Sequence, residues 1–153
     1  MSRAFVKETD NDPVGFPDRP ISPHRNLVTE AGLAAIEAAL QRFEATRRDA
    51  EEKGDREAAG AALREVRYWK ARRASAEVVK TPEDKSKASF GMTVTLRRAD
   101  GRKQSFQIVG EDEADPSHGT VSYVSPLARA VLTHGAGDIV VIAGSDAVLL
   151  EVR

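Results

Sequence analysis

Cysteine is absent from the 153 residues, and with it go disulfides, thiolate catalysis and every zinc site built on thiolates. Aromatic residues are scarce at 5%, so any core is aliphatic, and a hydrophobic content of 41% is enough to build one. No run approaches the roughly 18 consecutive apolar residues that would suggest a membrane span, and the opening MSRAFVKETDND lacks an apolar signal core. The expectation is a cytoplasmic protein with no membrane partner. A large charge of one sign is missing too. With 31% charged residues, 23 Lys and Arg stand against 24 Asp and Glu, leaving a net of −1 that argues against a bulk polyanion binder. There is no G-x-S-x-G elbow, Walker loop, H-E-x-x-H or dinucleotide fingerprint. Gly135-Ala136-Gly137 precedes a strand, so it is no phosphate cradle. His24, His118 and His134 show no metal-ligand spacing and read as surface residues. No cofactor of its own and no metal site are expected.

What is present falls into segments. Residues 1–27 hold four of the seven prolines (Pro13, Pro17, Pro20, Pro23) without periodicity, and read as an extended or disordered leader whose Phe5, Phe16 and Ile21 are expected to stay loose rather than dock on a neighbouring surface. Residues 28–80 are helical in pattern. Thr29 is placed to cap a helix in which Leu33, Ile36, Leu40, Phe43 and Ala50 follow 3–4 spacing, with Arg47 between. Lys53-Gly54-Asp55 breaks the run, and Ala59, Leu63, Val66, Trp69 or Lys70, and Arg73 mark one face of a second helix. Two helices with one narrow stripe each are unstable apart, so an antiparallel coiled-coil hairpin reaching roughly 35 Å is expected. Tyr68 and Trp69, near its root, are expected to pack against the C-terminal domain.

Residues 81–87 form a linker, and 88–153 alternate like strands. Met92, Val94 and Leu96, a turn at Ala99-Asp100-Gly101, then Phe106 and Ile108 predict a hairpin. Val121–Val124, Asp138–Ala143 and Ala147–Val152 are three further strands, with Gly144-Ser145-Asp146 turning between the last two. Ser125 caps a helix with Pro126 in its first turn, Leu127, Ala130 and Val131 on its apolar face and Arg129 pointing outward. Five short strands and one helix make the C-terminal region, and the whole chain, an α+β fold.

Three pieces in order carry a specific signature: Ile108–Asp115 as an "IVG" followed by an acidic turn, Ser125–Ala130 as an "S-P-L-A-R-A" helix start, and Gly137–Val140 as a "G-D-x-V" strand. Together they resemble the C-terminal domain of the Gre family of bacterial transcription elongation factors. The order of segments resembles that family over about four fifths of the chain. The resemblance implies a helical arm followed by a small FKBP-like β-rich domain. That domain would dock at the rim of the RNA polymerase secondary channel, the arm pointing inward. The family's tip reads G-D-x-x-E-N-A-E-Y, its Asp and first Glu serving the polymerase magnesium in cleavage of backtracked RNA. This chain reads Gly54-Asp55-Arg56-Glu57-Ala58-Ala59-Gly60-Ala61. Gly54 and Asp55 match, Ala58 stands at the Glu position, and Glu57 lies about 100° around the helix from it. The arm is also shorter than the family's by about 10–15 Å, whereas a carboxylate must come within roughly 2.0–2.6 Å of a hard cation to hold it.

The resulting expectation is a bacterial RNA polymerase-binding regulator of elongation without intrinsic catalysis, acting as a monomer. Its partner-binding residues would be Asp112, Glu113, Asp115, Ser125, Pro126, Leu127 and Arg129. The basic stretch Arg64, Arg67, Lys70, Arg72, Arg73 resembles the basic face of the family's arms, with Arg64, Arg67 and Lys70 contacting transcript phosphates. Asp55 and Glu57 are weak tip candidates within an acidic group that includes Asp49, Glu51 and Glu52. The alternatives are a full transcript-cleavage stimulator, a coiled-coil RNA or DNA binder, and an FKBP-type prolyl isomerase. The last has only Phe90, Phe106 and Tyr123 to wall an aromatic pocket.

Overall fold

The computed structural model describes residues 16–153, so Phe5 and Pro13 of the leader lie outside the described residues. By their contacts the residues form two compact units, one of residues up to Pro23 with Ile36–Ala74 and one of His24–Ala35 with Ser75–Arg153.

The first unit is the helical arm. It holds most of helix α1 (Glu30–Glu52) and of α2 (Arg56–Ser75), the α-helical hairpin expected from the sequence. At 1.5 Å per residue the helices run about 35 Å and 30 Å. In α1 the expected stripe is buried at Ile36, Leu40 and Ala50, and Phe43 and Arg47 are half-buried beside it. In α2 the stripe differs from expectation. Gly60, Ala62, Val66 and Arg72 are buried, while Lys70 and Arg73 are exposed. Small residues supply much of this face, and Arg72 is buried within it. Tyr68 and Trp69 meet edge to face at 5.0 Å, and the Arg19 guanidinium lies 3.6 Å from the centre of the Tyr68 ring.

Residues 16–23 belong to the arm unit, and the residues after them join the C-terminal unit. There β1 (Leu27–Val28) pairs in parallel with β2 (Glu77–Val78), a two-residue ladder too short to show any period. Asn26 is 4% exposed and its amide donates to Ser75 Oγ at 3.2 Å. Arg25 grips Glu77 at 2.7 Å, a pairing that holds the Glu77 carboxyl below its ordinary value. Proline content marked the segment as irregular, but irregular chain can still be pinned by side chains.

The C-terminal unit is a five-stranded sheet in the order β5-β4-β3-β7-β6, built from β3 (Thr93–Arg98), β4 (Lys103–Val109), β5 (Thr120–Ser122), β6 (Ile139–Ile142) and β7 (Ser145–Val152). Within this sheet only β4 and β5 pair in parallel. Alternation decides which face is covered. Val94, Leu96, Phe106, Ile108, Val140, Ile142, Ala147 and Leu149 all point to one side, and α3 (Pro126–Val131) adds Ala128 and Val131 to the same core. Two expected boundaries moved. The strand placed at Val121–Val124 ends at Ser122, because the Ser125 N–H bonds the Ser122 carbonyl and turns the chain into α3. The β6–β7 turn is Ala143-Gly144, both with positive φ (52° and 80°), the signs a twisted two-residue hairpin loop requires. Alanine resists that backbone, so the sequence pointed one residue too far along.

Candidate functional site

Three places in the chain carry candidate residues, and their backbones explain each one differently. The first is the arm tip. Gly54 N–H bonds the Glu51 carbonyl (3.1 Å) and Asp55 N–H bonds the Ala50 carbonyl (2.9 Å), the paired bonds of a Schellman helix end, with Gly54 at φ 71° in its left-handed position. Asp55 then opens α2: its Oδ1 accepts the Ala58 N–H at 3.0 Å, and its carbonyl accepts the Ala59 N–H. Asp55 is therefore the N-cap of α2, and Glu57 sits in the first turn, where a negative charge suits the helix dipole. The neighbouring acids are paired along α1, Asp49 with Lys53 at 2.9 Å and Glu51 with Arg47 at 3.0 Å, all solvent-exposed or nearly so. Among the described residues no group of three or more acidic or histidine side chains is placed to hold a metal.

The second place is the basic helix. The five cations of its Arg64–Arg73 stretch do not form one face. Arg72 is 1% exposed, and Lys70 and Arg73 line a cleft of about 610 Å³ shared with Glu37 and Glu44 of α1. Arg64 and Arg67 are half-buried under residues 17–19, Arg64 Nε donating to the Pro17 carbonyl at 2.7 Å and Arg67 Nε to Asp18 Oδ1 at 2.6 Å.

The third place, in the C-terminal unit, is the acidic turn and the start of α3. Four acids in five positions repel one another unless donors face them, and the fold supplies donors. Glu113 takes the Thr29 hydroxyl at 2.7 and 2.9 Å beside the N-terminus of α1, and Gly32 leaves it room, since a Cβ there would meet Glu113 Oε2 at 2.7 Å. Thr29 itself caps α1, accepting the Gly32 N–H at 2.9 Å, as its sequence position suggested. Asp115 caps the short 3-10 turn Pro116–His118, accepting from Ser117 N at 3.1 Å, Ser117 Oγ at 2.6 Å and facing His118 Nδ1 at 2.6 Å. The Ser117 hydroxyl first, and His118 next, hold the Asp115 carboxyl below its usual value. His118 thus has a carboxylate partner that sequence spacing did not reveal. Glu113 and Asp115, two of the expected partner-binding residues, both make bonds that support the local fold. Asp112 is half-buried in the same turn.

Ser125 accepts the Ala128 N–H at 3.2 Å and caps α3, leaving Pro126 and Arg129 exposed and Leu127 half-buried. Pro126 and Leu127 line a groove of about 690 Å³ with Phe106, Val121, Val141 and Ile142. The structure therefore brings Ser125, Pro126 and Leu127 together, flanks them with Ala114 and Pro116 of the acidic turn, and leaves Asp112, Glu113 and Arg129 off the groove wall. The sheet residues were missed. Their signal was the unbroken Ile139-Val140-Val141-Ile142: a strand at a sheet edge needs only alternate residues for the core, and the surplus Ile139 and Val141 are 64% and 62% exposed.

Comparison with known proteins adds the following. Residues 83–152 match the C-terminal family described as transcription elongation factor, GreA/GreB. The transcription elongation factor GreA of Desulfovibrio desulfuricans is 32% identical over 130 residues, covering 72% of this chain and 80% of that protein. GreA of Thioalkalivibrio sulfidiphilus is 32% identical over 136 residues, covering 75% and 86%. GreB of Neisseria meningitidis serogroup A is 42% identical over 82 residues, about half of each chain (52% and 50%). Among solved structures, the GreA/GreB elongation factor of Nitrosomonas europaea matches with a TM-score of 0.40 at 20% identity, covering 85% of this chain and 98% of that one. The GreA factor homolog 1 of Thermus thermophilus matches with a TM-score of 0.40 at 19% identity, covering 85% and 99%.

Proposed function

The chain belongs to the GreA/GreB family of transcription elongation factors, and we propose that it is a regulator that docks on RNA polymerase and supplies no metal-holding carboxylate pair. Docking uses the groove at the start of α3. An apolar trough lined by Pro126, Leu127 and Val141 can desolvate an apolar side chain of a partner, the arrangement from which interface hot spots are built. The acidic turn beside it, through Asp112, sets charge at the rim, where it steers encounter more than it adds affinity. Arg64, Arg67 and Lys70 of the arm contact transcript phosphates, the arginines through guanidinium hydrogen bonds and the lysine through its charge.

The observation that carries the non-cleaving reading is Asp55. One of its carboxylate oxygens is committed to the Ala58 N–H, and the residue giving that N–H stands where the family's tip has its glutamate. A carboxylate assists a metal by direct or one-water contact, and one acid already spent on a cap, without its partner, offers little of that. The docking half is tested by pull-down of core RNA polymerase, with and without competing secondary-channel proteins. Val141→Asp, an outward-facing change that leaves the core intact, is expected to weaken binding at least about 30-fold if the groove is the central contact. Wild-type binding by the folded variant would place the contact elsewhere.

A further inference from the structure

We infer that residues 17–19 are a built-in competitor for phosphate on the Arg64–Arg67 face of α2, so that this arm engages a nucleic-acid backbone only when the segment is displaced. The inference rests on the reading that this face contacts transcript phosphates. Arg64 and Arg67 are three residues apart on a helix and so lie on one face. Both are already taken, by oxygen acceptors of the kind a phosphodiester would offer. The Pro17 carbonyl sits 2.7 Å from Arg64 Nε and the Asp18 carboxylate 2.6 Å from Arg67 Nε. An RNA strand and this segment cannot bond the same two Nε–H groups at once.

The neighbouring residue has a different task. Arg19 pairs with Glu65 at 2.8 Å, with side chains 31% and 20% exposed, and stacks 3.6 Å over the Tyr68 ring, in each respect a more sheltered contact than the one Asp18 makes. The segment thus has an anchor at Arg19 and a detachable end at Asp18, whose side chain is 69% exposed against 39% for Arg67. A pair that open to solvent is weak and screened by salt, which suits a contact meant to yield. Pro17 within the strap and Pro20 just after it restrict how far the freed chain wanders, so reclosing stays easy. Multivalent phosphate can outcompete such a strap, whereas a single free anion cannot.

The test is fluorescence anisotropy of a labelled single-stranded RNA oligonucleotide against the full chain at fixed salt. The proteins are wild type, Asp18→Asn, Arg64→Ala/Arg67→Ala, the triple variant, and Asp146→Asn, a charge-matched control in the other unit. Circular dichroism checks that each retains its helices. The expected result is about two- to fivefold tighter binding by Asp18→Asn, the range a half-exposed ion pair supports. Asp146→Asn should match wild type, and the gain should vanish in the triple variant. If Arg64→Ala/Arg67→Ala weakens binding but Asp18→Asn behaves like its control, the strap does not compete, although the phosphate reading stands. If Arg64→Ala/Arg67→Ala binds as wild type does, the phosphate reading itself fails and the strap with it. Displacement of the RNA by polyglutamate at equal charge concentration would overturn the assignment to nucleic acid in favour of an acidic protein.

Discussion

The arm tip and the C-terminal groove both carry residues that resemble a family motif, yet they differ in how much of the motif the fold itself requires. At the tip, Gly54 closes α1 in a left-handed conformation and Asp55 caps α2, so any hairpin of this length favours that pair whatever its chemistry. In the groove, Ser125 is likewise a cap and Pro126 suits the first turn it opens, but Leu127 is only half-buried in the core and turns the rest of its apolar surface to the groove. A motif match at a position the backbone needs is weak testimony about function. A match at a position the backbone does not need is stronger. By this measure the C-terminal region says more about partners than the tip says about chemistry.

The two regions are also stabilised differently, which gives the largest expected effect. The C-terminal core rests on fully buried aliphatics such as Leu96 and Leu149, paired across β3 and β7. Leu149→Ala is expected to cost that unit about 2–5 kcal/mol in a denaturant titration, since the removed methyls leave a cavity in a rigid sheet. A loss under about 1 kcal/mol would mean the sheet is loosely packed and the contrast with the arm overstated.

At the tip the expectation is smaller. Asp55→Ala removes a helix cap and should lower arm stability by about 1 kcal/mol, with Asp55→Asn close to wild type because an amide oxygen caps as well. Measured by helix ellipticity against temperature, an Asn variant as damaged as the Ala variant would show that charge, rather than capping, is what Asp55 supplies.

The smallest effect is electrostatic. Asp115 has a depressed folded-state value, so its contribution is complete above the ordinary aspartate range near pH 4 and disappears as pH falls through that lower value. Ser117→Ala removes the leading donor and is expected to move the Asp115 titration upward in an NMR pH series. No movement would assign the depression to His118 instead.

Much of this was legible in the residues. The 3–4 spacing of Ile36, Leu40 and Ala50, the Gly54 break and the alternation through Val94, Leu96, Phe106 and Ile108 are local patterns, and the structure has them where the sequence put them. Less legible was whatever depends on distant chain. That Arg25 and Asn26 meet Glu77 and Ser75, that Glu113 supports Thr29, and that Pro17 and Asp18 cover Arg64 and Arg67 are pairings across 47 or more positions with no periodic trace. The groove was half visible, through Ser125-Pro126-Leu127. Its sheet wall was hidden because Val141 reads as one more core residue until β6 is known to be an edge.

The proposed non-cleaving role depends on the tip's carboxylates serving the fold instead of a metal. RNA cleavage in stalled, backtracked polymerase complexes tests it most directly, comparing wild type with Asp55→Ala/Glu57→Ala under conditions where both bind the enzyme. Cleavage at the polymerase's own unstimulated rate with either protein is the predicted result. Robust stimulation by wild type that disappears in the double variant would contradict the account, because those carboxylates would then reach and serve the magnesium.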